Sequence, residues 1–94
     1  MAHFVYILAS RPNGALYVGR TERLGERVAQ HRLGLSGHTR RYRIDRLVWF
    51  EEHGDFETSL RRERRLKKWD HAWKNALVAE RNPEWEDLSH LLGG

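Results

Sequence analysis

Two ionisable side chains interrupt the apolar stripes of predicted helices, and they are the first candidates for chemistry. Helical periodicity turns His31 toward the stripe that Leu24 and Val28 define, and it places Glu63 in the middle of a later inner face. A buried carboxylate is costly unless it is paired or bound to a cation. Glu63 is therefore either the partner in a structural salt bridge, for instance with Arg27, or a metal ligand or general base. His31 is either a satisfied core histidine or a site residue.

Two tyrosines lie in neighbouring predicted strands. Tyr6 and Tyr17 belong to short runs of β-branched and aromatic residues, and Pro and Asn-Gly turn signals separate these runs. A two-residue turn at Asn13-Gly14 predicts that Tyr6 pairs with Thr21. Because side chains alternate along a strand, both tyrosines then lie on one face of the sheet. Each tyrosine alone is more typical of an ordinary strand aromatic, so the evidence is their shared face.

The remaining pattern predicts a chain that mixes strands and helices. Its two tyrosine-bearing strands are Phe4–Ala9 and Leu16–Thr21, and Phe56, Ser59, Leu60 and Leu66 mark the inner side of the longest helix. The sequence leaves open whether the helical pattern is interrupted between Lys68 and Trp73. The other predicted elements, in chain order, are a helix over Leu24–Arg32, a basic loop over Gly34–Arg46, a strand over Leu47–Glu51, a helix from Phe56 to about Lys68, more helix through Trp69, Trp73 and Leu77, and a short helix capped by Asn82 with Pro83 first.

The composition limits the class of protein. A chain of 94 residues fits one domain, here residues 1–94. It has no cysteine, which excludes disulfides and thiolate metal sites. No signal segment or long apolar run is present, so we expect a cytoplasmic protein. Seventeen Lys and Arg against thirteen Asp and Glu give a net charge of +4, which favours either a nucleic-acid partner or simply a well-solvated surface.

Other kinds of site are not indicated. The sequence has no Gly-x-x-x-x-Gly-Lys phosphate loop and no Gly-x-Ser-x-Gly motif. Its six histidines show no metal-ligand spacing, so a zinc site is not expected. Trp69, Trp73 and Trp85 are most simply core residues, although an exposed tryptophan can stack on a nucleic-acid base.

Taken together, these motifs resemble the GIY-YIG nuclease family. The first motif is Val5-Tyr6-Ile7 and the second is Tyr17-Val18-Gly19. Val5 replaces the usual leading glycine and Val18 stands in the middle of the second motif. Arg27, His31, Glu63 and Asn82 follow in the family's order, so the resemblance covers about residues 4 to 90. The segments Lys67-Lys68-Trp69, Trp73-Lys74 and Asn82-Pro83-x-Trp85 resemble the small stand-alone bacterial members of the family.

The resemblance implies a fold, an activity and a set of site residues. The fold is an α+β domain with a small three-stranded antiparallel sheet flanked by helices. The activity is hydrolysis of DNA phosphodiester bonds by an endonuclease that uses Mg²⁺ or Mn²⁺, with a role in DNA repair or recombination, and DNA is favoured over RNA. Glu63 is the implied metal ligand. The implied catalytic residues are Tyr6, Tyr17, Arg27, His31, Glu63 and Asn82, and the candidate nucleic-acid-binding residues are Arg20, Arg40, Arg41, Arg43, Lys67 and Lys68.

The resemblance also suggests individual roles. Tyr6 is the implied base for the attacking water, although a phenol has an ordinary pKa of about 10. We expect positive charge on Arg27 and a hydrogen bond to His31 to favour the phenolate. Arg27 would neutralise charge on the phosphate, Tyr17 would hold the water or phosphate, and Asn82 would orient the site or brace Glu63. Two other classes of function stay open, a nucleic-acid-binding module that does not cut and a scaffold that uses its tryptophans to hold a protein partner.

Overall fold

A computed structural model describes residues 2–34 and 37–92 of the chain. It contains one three-stranded antiparallel sheet with the strand order β2-β1-β3, together with helices, which confirms the α+β fold. None of the helices in these two ranges has the length and apolar character that a membrane span requires. The elements are β1 (His3–Ala9), β2 (Leu16–Thr21), α1 (Leu24–Arg32), α2 (Gly37–Tyr42), β3 (Arg46–His53), α3 (Phe56–Lys68), α4 (His71–Arg81) and a final 3₁₀ helix (Leu88–Leu92).

The β1–β2 hairpin differs from the predicted register but keeps the predicted parity. Tyr6 pairs with Gly19 rather than with Thr21, because the loop is longer than two residues. The Ser10 N–H donates to the Ala15 carbonyl at 3.0 Å and closes the loop, and Asn13 adopts a φ of 57° within it. A shift of two residues leaves every side chain on its original face. The prediction that both tyrosines share a face is therefore confirmed.

Both faces of the sheet are covered, which explains the almost unbroken apolar run of β1. The residues from Val5 to Ala9 are all buried, as expected for a central strand packed on both sides. Helices α3 and α4 cover one face and α1 covers the other. One core contains Val5, Ile7, Ala9, Val18, Val48, Trp49, Leu66, Val78 and Trp85. The other contains Tyr6, Leu8, Leu24, Val28, Ile44 and Leu47.

The segment predicted as a basic loop, Gly34–Arg46, contains a helix. Helix α2 occupies Gly37–Tyr42, so the loop prediction is wrong over that range. Residues 35 and 36 of the predicted loop lie outside the described residues. The sequence of α2 has no apolar stripe that would predict a helix. It is anchored instead by Thr39, which is 1% exposed, and by the hydrogen bond from the Ile44 N–H to the Thr39 carbonyl at 2.8 Å.

The C-terminal third settles one open question and corrects one expectation. The break that the sequence left open is present: α3 ends at Lys68, and the Asp70 side chain caps α4 by accepting from the Trp73 N–H at 2.9 Å. Asn82 does not start a helix. It is the C-terminal cap of α4, and its amide holds the turn that follows, so the chain reaches its last helical turn only at Leu88–Leu92.

The large aromatic side chains are less uniformly buried than predicted. Trp85 is in the core and Trp69 is half-buried, but Trp73 is 60% exposed. Phe56 was expected on the inner side of α3 and is 46% exposed. It is the first residue of the helix, and its ring packs against the Arg20 guanidinium, whose Cζ lies 4.4 Å from the ring centroid. Ser59 and Leu66 are buried as predicted, since they lie further along the same helix.

Candidate active site

Two tyrosines and a histidine form a compact cluster where β1, β2 and α1 meet. The Tyr6 hydroxyl lies 3.2 Å from His31 Nε2. The ring centroids of Tyr6 and Tyr17 are 6.2 Å apart, and those of Tyr17 and His31 are 5.1 Å apart. Tyr6 is 1% exposed and His31 is 2% exposed, whereas Tyr17 is only partly buried. The structure therefore brings together three of the residues that the sequence analysis selected.

Helix α1 brings Arg27 to the same cluster. Leu24, Val28 and His31 are its buried residues, which confirms the predicted inner stripe. Arg27 lies at the edge of that stripe, close enough to Tyr6 for its positive charge to act on the pKa of that phenol, and its Nη1 donates to Gln30 Oε1 at 2.9 Å. A cation beside both phenols is well placed to meet an anionic group there.

Gly19 makes the close packing of the two tyrosines possible. A β-carbon at this position would lie 2.5 Å from the Tyr6 hydroxyl oxygen and 2.9 Å from Tyr17 Cε1. Any other side chain would displace both rings. The sequence analysis noted Gly19 only as a motif residue, and strand pairing of Tyr6 with Gly19 is the signal that reveals its role.

The protonation state of Tyr6 differs from the expectation. Burial, and to a smaller extent the neighbouring Tyr17, raise the pKa of Tyr6 to about 12, although Arg27 acts in the opposite direction. Arg27 therefore favours the phenolate as expected, but its effect is smaller than that of burial, so Tyr6 does not become a phenolate in the free protein. At neutral pH Tyr6 is a phenol with one hydrogen to donate.

His31 is a neutral imidazole at the same pH. Burial, and to a smaller extent the positive charge of Arg27, lower its pKa to about 4. Its Nδ1 lies 2.8 Å from Thr39 Oγ1 on α2. Thr39 was missed by the sequence analysis, because it lies in the segment expected to be a loop.

Glu63 lies on the inner side of α3, as predicted, but with a different partner. Its side chain is 15% exposed, and it is flanked along the helix by the buried Ser59 and Leu66. The suggested salt bridge to Arg27 is not formed. Within the described residues, the ion pair of Glu63 is with Lys67 Nζ at 3.0 Å. The structure therefore does not bring Glu63 into the hydrogen-bonded group of Tyr6, Arg27 and His31.

The side chains of the site could hold a hard cation only if ligands from outside the protein complete its coordination. No group of three or more His, Asp or Glu side chains capable of holding a metal is found in ranges 2–34 and 37–92. Mg²⁺ is commonly bound by one or two carboxylates together with waters and substrate phosphates. Glu63, a largely buried carboxylate, suits the role of the single protein ligand in such a site.

The side-chain amide of Asn82 makes three hydrogen bonds to the backbone, which engage most of its donors and acceptors. Its Nδ2 donates to the carbonyls of Val48 at 3.1 Å and Glu86 at 2.9 Å, and its Oδ1 accepts from the Glu86 N–H at 3.0 Å. Both amide hydrogens are thus occupied. Since Val48 belongs to β3 and Tyr17 to β2, Asn82 is anchored to the strand on the opposite edge of the sheet from Tyr17.

The candidate nucleic-acid-binding residues fall into three places. Arg20 is held between the Phe56 ring and His3, whose Nδ1 lies 3.5 Å from Arg20 Nη1. Lys67 pairs with Glu63 and is exposed, as is Lys68, and Arg40, Arg41 and Arg43 are exposed on and after α2. An open cleft of about 400 Å³ lies beside Arg27, and its lining residues are Arg20, Thr21, Glu22, Arg23, Glu26, Arg27 and Gln30.

Comparison with known proteins identifies the family of the chain. The family model of the GIY-YIG catalytic domain matches residues 2–76, which include both tyrosines, Arg27, His31 and Glu63. Among solved structures, the chain resembles the solution NMR structure of the UPF0213 protein BH0048 from Bacillus halodurans, at 28% identity and a TM-score of 0.59 over 100% of both chains. None of the curated proteins matches the sequence. A GIY-YIG catalytic domain is a nuclease-type fold with a nucleic-acid substrate, and the chain belongs to the GIY-YIG family.

Proposed function

We propose that this protein is a metal-dependent endonuclease that hydrolyses phosphodiester bonds in DNA. The observation that carries the proposal is the convergence of Tyr6, Tyr17, His31 and Arg27, of which Arg27 also lines an open cleft together with Arg20 and Arg23 and with Glu22 and Glu26. The family match supports a nuclease. Because GIY-YIG nucleases typically depend on a divalent metal, the match also supports the proposed metal dependence. DNA as the preferred substrate, and repair or recombination as the setting, are parts of the same proposal.

Arg27 is the residue that would meet the scissile phosphate. It lines the open cleft and lies beside the two phenols, and its hydrogen bond to Gln30 Oε1 at 2.9 Å helps to hold the guanidinium in place. Charge grows on the phosphate oxygens as a nucleophile attacks, and a fixed cation there stabilises the transition state. Arginine is suited to this role because its planar fork can contact a phosphate and the phenols at the same time.

Tyr6 and His31 would together activate the attacking water. Both are neutral at pH 7, and a single hydrogen lies between the Tyr6 oxygen and His31 Nε2. As the water oxygen bonds to phosphorus, its proton passes to the Tyr6 oxygen and the phenol hydrogen passes to Nε2. A weak acid activated by an adjacent base is a general device of nucleophilic catalysis. Tyr17, which is more exposed than Tyr6, would hold the water or the phosphate.

Glu63 would hold the Mg²⁺ or Mn²⁺ ion. Bound there with substrate, the ion supplies charge that stabilises the oxygen leaving the phosphorus. The Lys67 ammonium, which is more than half exposed, would turn away from the carboxylate when the cation binds. Asn82 is left out of the proposed catalytic set, because its contacts are with β3 and its own turn.

A cleavage panel tests this function. Labelled DNA in duplex, single-stranded, branched and damaged forms is offered with Mg²⁺ or Mn²⁺ to wild type, Arg27→Ala and Glu63→Ala. The exposed Arg64→Ala on α3 serves as a control for lost positive charge. We expect metal-dependent cleavage by wild type and Arg64→Ala, and its loss in the other two. Cleavage that survives equally in all four proteins would reject this site.

The panel also separates cutting from binding alone. A nucleic-acid-binding module would bind DNA with affinity that falls as salt rises, yet would show no turnover with either metal on any substrate. The folded state of each variant is checked by circular dichroism, because a structural role for the Glu63–Lys67 pair would lower stability instead of activity.

A further inference from the structure

A buried threonine contacts the active-site histidine from a helix that the sequence did not predict. Thr39 is 1% exposed, although its neighbours Arg40, Arg41 and Tyr42 on α2 are all exposed. Its Oγ1 lies 2.8 Å from Nδ1 of His31, which is itself 2% exposed. Burying a hydroxyl removes its hydrogen bonds to water, which costs free energy that burying an apolar side chain would not. The contact with His31 offsets part of that cost.

The hydrogens around His31 can be assigned from the neighbouring donors. Tyr6 is a phenol at pH 7, so its oxygen carries one hydrogen that it can donate. That hydrogen can point to His31 Nε2, 3.2 Å away, provided that Nε2 carries no hydrogen of its own. A neutral imidazole carries one N–H. When Nε2 accepts from the phenol, this N–H lies on Nδ1, 2.8 Å from Thr39 Oγ1, which can accept it.

We propose that Thr39 is a positioning residue that holds His31 in the tautomer with its hydrogen on Nδ1, which keeps Nε2 open to the Tyr6 hydroxyl. The catalytic part of this inference rests on the proposed nuclease function, in which Nε2 takes the phenol hydrogen. The other tautomer would place a hydrogen on Nε2 and leave that nitrogen unable to accept. Groups that orient a catalytic imidazole from its second nitrogen act in this way in other enzymes.

The tautomer can be measured without any substrate. Long-range ¹H–¹⁵N spectra of protein labelled with ¹⁵N-histidine distinguish a protonated ring nitrogen from an unprotonated one, and the His31→Gln spectrum assigns the His31 signals. We expect wild type at pH 7 to show His31 protonated at Nδ1 and not at Nε2. In Thr39→Val, which removes the acceptor, we expect a mixture of tautomers, and Thr39→Ser restores the wild-type pattern.

The same variants separate positioning from stability. In a single-substrate cleavage assay we expect Thr39→Val to lower kcat by about 10- to 100-fold with KM unchanged, and Thr39→Ser to recover most of the loss. Ser59→Ala is the matched control, because it removes another buried hydroxyl, one that donates to the Phe56 carbonyl on α3. It should retain the wild-type kcat.

The outcomes distinguish this inference from the proposed function. A wild-type spectrum with His31 protonated at Nε2, or one that Thr39→Val leaves unchanged, overturns the tautomer assignment whether or not the protein cuts DNA. If Thr39→Val does not fold, the wild-type spectrum and Thr39→Ser still decide the assignment. The predicted spectra with equal kcat in wild type and Thr39→Val overturn the catalytic part alone. Absence of cleavage by wild type overturns the proposed function, while the spectra still test the assignment.

Discussion

The Tyr6 hydroxyl lies over the backbone of Gly19 in the neighbouring strand, at a distance that leaves no space for a β-carbon. The two motifs of the hairpin are therefore one structural unit, in which the glycine of β2 makes room for the phenol of β1. Because Tyr6 is held there, its oxygen lies 3.2 Å from His31 Nε2 on α1, and its pKa responds to the positive charge of Arg27.

This packing predicts the effect of a single methyl group. Gly19→Ala places a β-carbon 2.5 Å from the Tyr6 oxygen, so we expect the ring to move and the cleavage rate to fall by about 100-fold. Gly25→Ala on α1 is the control, since no atom lies within 4 Å of a β-carbon there. It should keep full activity and gain up to about 1 kcal/mol in unfolding free energy. Comparable activity of the two variants would show that Tyr6 is not held as described.

The lowered pKa of His31 predicts how stability depends on pH. The folded-state pKa of about 4 lies below the ordinary 6.5, so the unfolded chain takes up the proton first. This contribution to stability is complete above pH 6.5, declines as the pH falls, and is lost by about pH 4. Urea denaturation should show wild type losing about 3 kcal/mol more than His31→Gln across this window. Carboxyl groups titrate in both proteins and cancel in the difference. Parallel curves would contradict a buried neutral His31.

Asn82 is predicted to matter for stability and not for catalysis. Asn82→Ala leaves the Val48 and Glu86 carbonyls without their donor, so we expect the free energy of unfolding to fall by about 2 kcal/mol. Asn75→Ala on the same helix removes an amide whose buried Oδ1 has no partner among the described atoms, and it should be neutral or stabilising. Cleavage per folded molecule should be unchanged in both. A large loss of kcat in folded Asn82→Ala would return this residue to the catalytic set.

Arg27 is predicted to need its planar fork as well as its charge. Arg27→Lys keeps the charge but loses the planar fork that can contact a phosphate through two parallel N–H groups, so we expect the single-turnover rate to fall by about 100-fold. Arg23→Lys is the control, because Arg23 lines the same cleft with 72% of its side chain exposed. It should change only the salt dependence of binding. Equal single-turnover rates for the two variants would contradict the role given to Arg27.

Periodicity predicted the parts of the site that lie on regular elements. Strand alternation placed Tyr6 and Tyr17 on one face even though the register was off by two residues, and helical spacing turned His31 and Glu63 inward. Val5 and Val18, which depart from the family motifs, lie in the core on the opposite sheet face from Tyr6, so the changes leave the tyrosines in place.

Features that depend on tertiary contacts were not predictable in the same way. Helix α2 lacks an apolar stripe and is fixed by Thr39, so its sequence resembles a loop. The amide of Asn82 reaches back to β3, and no local pattern encodes that contact. The raised pKa of Tyr6 results mainly from burial, which outweighs the opposite effect of Arg27 that the sequence suggested.

The most direct test of the account removes one oxygen atom from Tyr6. Tyr6→Phe keeps the buried ring and deletes the hydroxyl that bonds His31, whereas Tyr42→Phe makes the same change on a side chain that is 50% exposed. Single-turnover cleavage of a DNA substrate that wild type cuts is measured with Mg²⁺ and Mn²⁺, with folding verified for each protein. We predict that Tyr6→Phe is slower than wild type by about 100-fold or more and that Tyr42→Phe equals wild type. Wild-type cleavage by folded Tyr6→Phe would contradict the central claim.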